Sequence, residues 1–569
     1  MLNILAHAPL LLAQAETSIG APAPAANSTL RWIVDGGIIL IYMIAMVAIG
    51  MYAGRRKADD NTQSYFAGSG RIPPWAVAMS ILATIISSVT FLAYPGNAYA
   101  GNWINLVQGL MVPVVLICVV WFIVPIYRHS IGISAYEYFE RRFSYGSRLY
   151  TSLAFSILHF TKTGSVIYLL ALALSSLTGI HTIPIILIVT FVTVIYTLIG
   201  GMEAVIWTDV VQGFLFLAGG LACLGILLFK PAGGPAHVIS MAWHANKIDV
   251  GPYNFDLAKR TFWVLVINGI FYALQKYACD QTMVQRYLVN KTDRGAIKAA
   301  FMGGVLCVPT WAMFMFIGSC LWSFYKIVGD SALPRDAATG KIIADQVFPY
   351  FINHELPIGF TGLVLAALLA AAMSSISSDL NCLSAVVVED YYRRIRPDAT
   401  DQQRLRFGKY TVAVCGVIAA LVGIAYVAIA KASILDTIFE LYAVFAGGLV
   451  GLFALGFLSR RANWQGALIG IAATILFCAW GFLTSKTKAF GIPLDLNKHF
   501  GVNYLNFPHD SYMLQVYPHF IMFGIGMLAS YFFAAPHIDA DRFTIYGYLA
   551  RRRAEKAQGI EAASAQTGA

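Results

Sequence analysis

Charge is what this chain is short of. Of its 569 residues only 12% are Asp, Glu, Lys or Arg, while 58% are hydrophobic. A soluble domain of this size does not keep its surface in water with so few ions, so soluble enzymes and binding modules are excluded. Cysteine is scarce as well. The eight, from Cys118 to Cys478, form no CxxC pair, which speaks against a disulfide framework and a thiolate zinc site. The eleven histidines show no HExxH spacing, and neither a Walker loop nor a GxSxG elbow is present. ATP-driven pumps and membrane hydrolases would lack the residues that their chemistry needs, so no enzyme is expected.

Long apolar runs are what the chain has instead. Thirteen are long enough to cross a bilayer: 33–53, 75–98, 104–127, 149–177, 181–200, 204–229, 261–279, 299–327, 358–388, 410–430, 433–458, 464–484 and 514–535. The expected fold class is an all-α, polytopic membrane protein. Residues 1–32 form an extracytoplasmic N-terminal segment, 33–536 the transmembrane domain, and 537–569 a cytoplasmic tail. The opening stretch Met1–Ala15 reads as a short signal peptide cut after Ala15 or as a tail. With the N-terminus outside, cytoplasmic segments hold 25 of the 39 Lys and Arg and outside segments 11, with Lys162, Lys276 and Lys326 inside spans. That bias places the C-terminus in the cytoplasm. The net charge of +10 is thus topological. No aromatic–basic interleaving accompanies it, and no nucleic acid is expected as a partner. The partners expected are the lipid bilayer and a small solute, with a single chain sufficient. The short loops suit a bacterial inner membrane.

One helix stands out. Between Pro357 and Glu389 runs Ala371-Ala372-Met373-Ser374-Ser375-Ile376-Ser377-Ser378-Asp379. At about 100° per residue the four serines share one arc with Ala371. Hydroxyls in an apolar helix either let neighbours pack closely and bond back to the backbone, or gather hard oxygens for a small cation such as Na+.

The order of the spans carries a second signal. Spans two to six and seven to eleven form two blocks of five, about 75–229 and 261–458. An odd number inverts the second block relative to the first, as in secondary transporters with inverted repeats. The first helix of each block is then expected to break near the midplane. Span two is interrupted by Ser87-Ser88-Val89-Thr90 after a β-branched run, and span seven grows polar towards Gln275-Lys276-Tyr277-Ala278-Cys279-Asp280-Gln281.

Two further stretches are Gly200-Gly201-Met202-Glu203 through Thr208-Asp209-Val210-Val211-Gln212, and Asp280-Gln281-Thr282-Met283-Val284-Gln285-Arg286-Tyr287-Leu288. With the serine helix, they closely resemble the sodium:solute symporter family, which includes sodium/glucose cotransporters and bacterial sialic acid transporters, over about residues 35–535. The resemblance implies a LeuT-type 5+5 inverted-repeat fold and alternating access driven by one or two Na+ ions. It places a first Na+ on the carbonyls of Ala83, Ile86 and Ala371 and the hydroxyls of Ser374 and Ser375. It places a second on Asp209, Ser377 and Ser378, with Ser374 shared. It draws the substrate pocket from Ser87, Ser88, Thr90, Asn102, Asn105, Gln108, Lys162 and Gln275. Lys162 stands where the sialic acid transporters place an arginine for the substrate carboxylate. A lysine there either meets a carboxylate without the bidentate fork or pairs with an acid such as Asp379.

The chain also departs from the sugar pattern. Ile85, Cys307 and Phe439 replace residues that bond sugar hydroxyls, and Lys276 stands near a gating tyrosine. Asp379 is an added acid with three open roles: coupling to a sodium site, binding a proton, or pairing with Lys276 or Lys162 as a gate. The function implied is Na+-coupled uptake of a small polar solute, a sugar or sugar acid first. A monocarboxylate or vitamin-like acid comes next, then an amino acid. From another class stands a membrane sensor built on a transporter fold, which a chain closing soon after its last span does not favour.

Overall fold

In a computed structural model of the chain the described residues are 28–55, 61–68, 70–336, 339–429, 447–484, 495–500, 502, 505–536 and 540–554. Met1–Ala15, Phe439, most of the 433–458 span and the end of the tail lie outside them. Among the described residues nine helices are long and apolar enough to cross a membrane, or eleven when each of two bent pairs is taken as one span.

The helices are α1 Ser28–Arg55, α2 Pro74–Ile85, α3 Ser88–Ala100, α4 Leu106–Ser130, α5 Tyr145–Thr178, α6 Thr182–Phe229, α7 Phe262–Leu274, α8 Gln281–Val289, α9 Asp293–Val328, α10 Phe360–Val386, α11 Asp401–Ile429, α12 Leu449–Leu458, α13 Trp464–Thr484 and α14 Tyr517–Ser530. The thirteen apolar runs of the sequence all fall on them, the 433–458 run only through α12. Two runs, 181–200 and 204–229, share α6, a helical stretch of 48 residues. Its hydrogen-bond ladder passes through Gly201, whose φ of 58° and ψ of −152° are not helical. The chain turns there without interrupting the helical stretch, so a span count by continuous helices is lower than a count by apolar runs.

Two other breaks matter more. The β-branched Thr84-Ile85-Ile86 run ends α2. Ile86 (φ −78°, ψ 128°) and Ser87 (φ −138°, ψ −176°) are extended. The Ser87 hydroxyl accepts from Val89 N–H at 3.2 Å and caps α3, which leaves at 57° to α2. In the second break α7 runs into a π-helical turn at Gln275–Cys279, then Asp280 is extended (φ −93°, ψ 123°). The Asp280 carboxylate accepts from Thr282 N–H at 2.9 Å and caps α8.

Around these breaks the layers follow burial. α10, the serine helix, is the centre: every residue from Val364 to Val386 is buried. It packs on α6, α5, α1 and α11, and α9 closes over α2, α3 and α4. Outward faces are apolar, with Leu40, Ile41 and Ile44 on α1 and Val414, Val417 and Leu421 on α11 exposed, as a lipid-facing surface requires.

Gly201 gives the fold its sharpest local constraint. A Cβ there would stand 2.7 Å from the Tyr65 carbonyl oxygen, at a positive φ. Gly201→Ala is expected to destabilise the purified protein by about 1–3 kcal/mol through strain. Gly36→Ala on α1, where a Cβ meets nothing within 4 Å, serves as the tolerated control. Equal melting temperatures for the two variants would contradict the break.

Candidate ion and solute site

The α2–α3 break frees backbone carbonyls, and the serine arc of α10 faces them. Ser374 Oγ donates to Ala83 O at 2.9 Å and to Ala371 O at 3.2 Å. Ser375 Oγ lies 3.3 Å from Thr84 O and 3.4 Å from Ile86 O. The structure therefore brings Ala83, Ile86, Ala371, Ser374 and Ser375 together from two elements nearly three hundred residues apart. Five neutral oxygens with long hydroxyl contacts suit a weakly bound hard cation better than a transition metal. No cluster of three or more His, Cys, Asp or Glu able to hold a metal occurs among the described residues.

A second group lies one step along α10. Asp209 Oδ2 accepts from Ser80 Oγ at 2.5 Å and from Arg286 Nη2 at 3.0 Å. The same Nη2 donates to Ser378 Oγ at 2.6 Å, and Ser378 Oγ is 2.9 Å from Thr84 Oγ1. Ser377 Oγ bonds to Ser374 O at 3.1 Å. Asp209 and Arg286 are both 0% exposed. Arg286 is a site residue that the sequence reading left without a task, although it sits inside the Asp280–Leu288 motif. It supplies a tethered cation where two serines and an aspartate meet. The other oxygen, Asp209 Oδ1, has no hydrogen-bond partner. A buried carboxylate oxygen left bare is costly, and a cation beside it offsets that cost.

On the other side of α2–α3 lies a cavity of about 80 Å³. It has room for several waters and is smaller than a sugar-sized ligand needs. Ser87, Thr90, Lys162, Gln275 and Lys276 line it, and Ile85 is on its wall. Four residues drawn into the pocket from the resemblance are elsewhere. Ser88 Oγ turns away to bond Val166 O at 2.9 Å, tying α3 to α5. Asn102 donates to Gly251 O at 2.8 Å, Asn105 to Asn97 Oδ1 at 3.1 Å, and Gln108 to Asn268 Oδ1 at 2.7 Å. These three sit on the stretch between α3 and α4 and at the start of α4, where a loop carbonyl, α3 and α7 engage their amides. They do not line the cavity.

The charged wall of the cavity is a chain of ions. Lys162 Nζ is 3.1 Å from Asp379, the acid named for it from the sequence, and Thr163 Oγ1 donates to Asp379 Oδ2 at 2.9 Å. Lys276 Nζ pairs with Asp280 at 2.8 Å rather than with Asp379, and also meets Thr282 Oγ1 at 3.1 Å. His159 joins the two pairs, a residue to which the sequence pointed in no way. Cys307 is buried, its thiol bonded to Gly303 O at 3.3 Å.

The profile of the sodium:solute symporter family matches residues 65–473. The sodium/sialic acid symporter NanT of Aliivibrio fischeri is 34% identical over 449 residues, 78% of this chain and 86% of that protein. The sodium-dependent multivitamin transporter of Oryctolagus cuniculus is 28% identical over 84% of this chain and 75% of its own. Among solved structures, a Na+-coupled sialic acid symporter in a substrate-bound, outward-open state superposes with a TM-score of 0.76 at 30% identity, covering 88% of this chain and 98% of that one. The fold is LeuT-like, and the relatives are transporters rather than enzymes.

The buried Arg286–Asp209 pair makes a direct prediction. Arg286→Gln strands a carboxylate inside the protein and is expected to cost about 3–5 kcal/mol of stability. Arg286→Gln with Asp209→Asn removes both charges and recovers most of that loss. Thermal unfolding of the two single variants and the double variant measures the coupling. Additive losses would mean that the two groups do not support each other.

Proposed function

This chain belongs to the sodium:solute symporter family, and on that footing we propose that it imports a small anionic sugar acid with Na+ by alternating access. A sialic acid is the first solute to try, since the relative at 34% identity carries that name. The observation that carries the reading is the placement of Lys162 and Lys276 on one cavity wall, beside the break that also exposes the Ala83 and Ile86 carbonyls. Ions and solute thus share one pair of broken segments, so filling one site changes the shape of the other. Thr90, Ser87 and Gln275 offer the neutral partners that sugar hydroxyls require. The cavity must widen to admit such a solute, as alternating access entails.

In this reading the first Na+ takes Ala83, Ile86 and Ala371 through their carbonyls and Ser374 and Ser375 through their hydroxyls. The second takes the bare Oδ1 of Asp209 with Ser377, Ser378 and Ser374, while Arg286 keeps the other carboxylate oxygen. The orientation is N-terminus outside and C-terminus in the cytoplasm of a plasma membrane, a bacterial inner membrane by the loop lengths.

A smaller monocarboxylate or vitamin-like acid is the second reading. Two features favour it: the small cavity, and Ile85 and Cys307 in place of groups that would bond sugar hydroxyls. Thermal stability of the purified protein with sugar acids, neutral sugars, monocarboxylates and amino acids, each in NaCl and in choline chloride, separates the two. Stabilisation by sialic acid in NaCl alone supports the first reading; stabilisation by short acids alone supports the second.

Uptake into proteoliposomes tests the ion sites. Ser375→Ala is expected to raise the Na+ concentration for half-maximal uptake about tenfold or more, because an ion–hydroxyl contact is worth about 1.5–3 kcal/mol. Asp209→Ala is expected to lower the Hill coefficient for Na+ from about two towards about one. A coefficient near one in the unmodified protein, unchanged by the substitution, leaves a single coupling sodium.

A further inference from the structure

The transport reading leaves one group in the cavity wall without a task. His159, on α5, is 1% exposed and stands between two carboxylates from distant parts of the chain. Its Nδ1 is 2.8 Å from Asp379 Oδ1 on α10, and its Nε2 is 3.1 Å from Asp280 Oδ2 at the head of α8. Carboxylate oxygens only accept. A neutral imidazole has one N–H and one bare nitrogen, so it satisfies one carboxylate and sets a lone pair against the other. With both contacts made, the triad holds one proton more than a neutral histidine brings. The imidazolium form accommodates it, since both nitrogens then donate in charge-assisted bonds.

The surroundings favour leaving both acids ionised. Asp379 also accepts from Lys162 and Thr163, and Asp280 from Lys276 and Thr282. A carboxyl proton would have to displace one of these donors or point at the histidine. From α10 the titratable groups nearby are Asp379 and Cys382, the latter also near Asp280. From the α7–α8 break they are Lys276, Cys279 and Asp280, with Tyr272 behind them and Arg286 beyond. Tyr136 approaches Asp280 from the segment before α5, and Lys162 shares α5 itself. α6 and α11, packed on other faces of α5, give His159 no hydrogen bond or ion pair. The ring of Phe155 covers it at 4.1 Å.

Three cations, Lys162, His159 and Lys276, then face two carboxylates. One positive charge is left over in a wall shielded from water, where an unneutralised charge is costly. We propose that His159 is a coupling-ion site for a proton, loaded together with an anionic solute whose negative charge completes the neutrality of the wall. The identity of that solute rests on the transport reading above. The proton comes from water on the open side, binds the second ring nitrogen of His159, and leaves to water on the other side. No bond of the solute is made or broken. By reciprocity, what the proton does for the anion the anion does for the proton. Anion affinity is therefore full below the pH at which the empty site loses its proton. It weakens by about tenfold per pH unit above that, until the loaded site titrates as well.

Two measurements decide it. The first is ¹⁵N-histidine NMR of the full chain in lipid bilayers, with the His159 signals assigned by their loss in His159→Gln. If that variant does not fold, the shift of the same signals in Asp379→Asn assigns them. Two protonated ring nitrogens are expected on acidification, one of them lost as the pH rises; a ring that stays neutral down to about pH 5 overturns the proposal whatever the solute is. The second is calorimetry of the unmodified protein with sialic acid in NaCl, at a pH where the same NMR signals show the empty site without its second proton, in two buffers of different protonation heat. Uptake of about one proton per bound solute is expected. Tight binding with no proton uptake overturns the coupling. If sialic acid does not bind at any pH, the solute assignment fails, and the NMR result still decides the proton site.

Discussion

A helix that breaks inside hydrocarbon must find all its hydrogen bonds within the protein, and the rest of this structure is arranged around that demand. Before Ser87 the carbonyls of Ala83, Thr84 and Ile86 turn to the hydroxyls of Ser374 and Ser375. At Asp280 the side chain caps the helix that follows, and the carboxylate that does so must itself be neutralised. The first break finds its partners on α10, and the second finds them in the π-turn and on α5. This is why α10 is buried along nearly its whole length and yet carries four serines and an acid.

The same demand sorts the buried charges into two sets. Asp209 and Arg286 neutralise each other beside Ser80 and Ser378. Lys162, Asp379, His159, Asp280 and Lys276 form an alternating chain, of which all but the buried Asp379 line the cavity. Ser378 and Asp379 are neighbours on α10, about 100° apart around its axis, and each belongs to a different set. A small displacement of α10 against α2 and α3 therefore alters the ion-side and solute-side contacts together. In the proposed transport cycle that is a physical route by which binding on one side would bias the other, carried by a single element.

Burying so many ions is expensive, and hydrophobic replacements of similar volume would often be as stable. Charges retained in this place point to a task other than stability. At the bare Oδ1 of Asp209 and at the ring of His159, held between two carboxylates, the count of protons and lone pairs does not close with protein atoms alone.

The sequence by itself determined a good deal. Scarce charge and thirteen apolar runs required a membrane protein of many helices. The β-branched run before Ser87 and the polar end of span seven marked both breaks, because local propensity and polarity act over a few residues. The serine arc was legible because helical geometry fixes which side chains share a face. What only the tertiary structure decided is what depends on contacts across the chain. Asp379 had three open roles until α5 brought Lys162 and His159 against it, the latter from 220 positions away. Lys276 chose Asp280, four residues on, because the π-turn folds it back. Asn102, Asn105 and Gln108 proved to be held outside the cavity by Gly251, Asn97 and Asn268. Arg286 and His159 carried no periodic or spacing signal at all. Each is one residue whose role comes from partners on other helices, and a linear pattern does not contain that information.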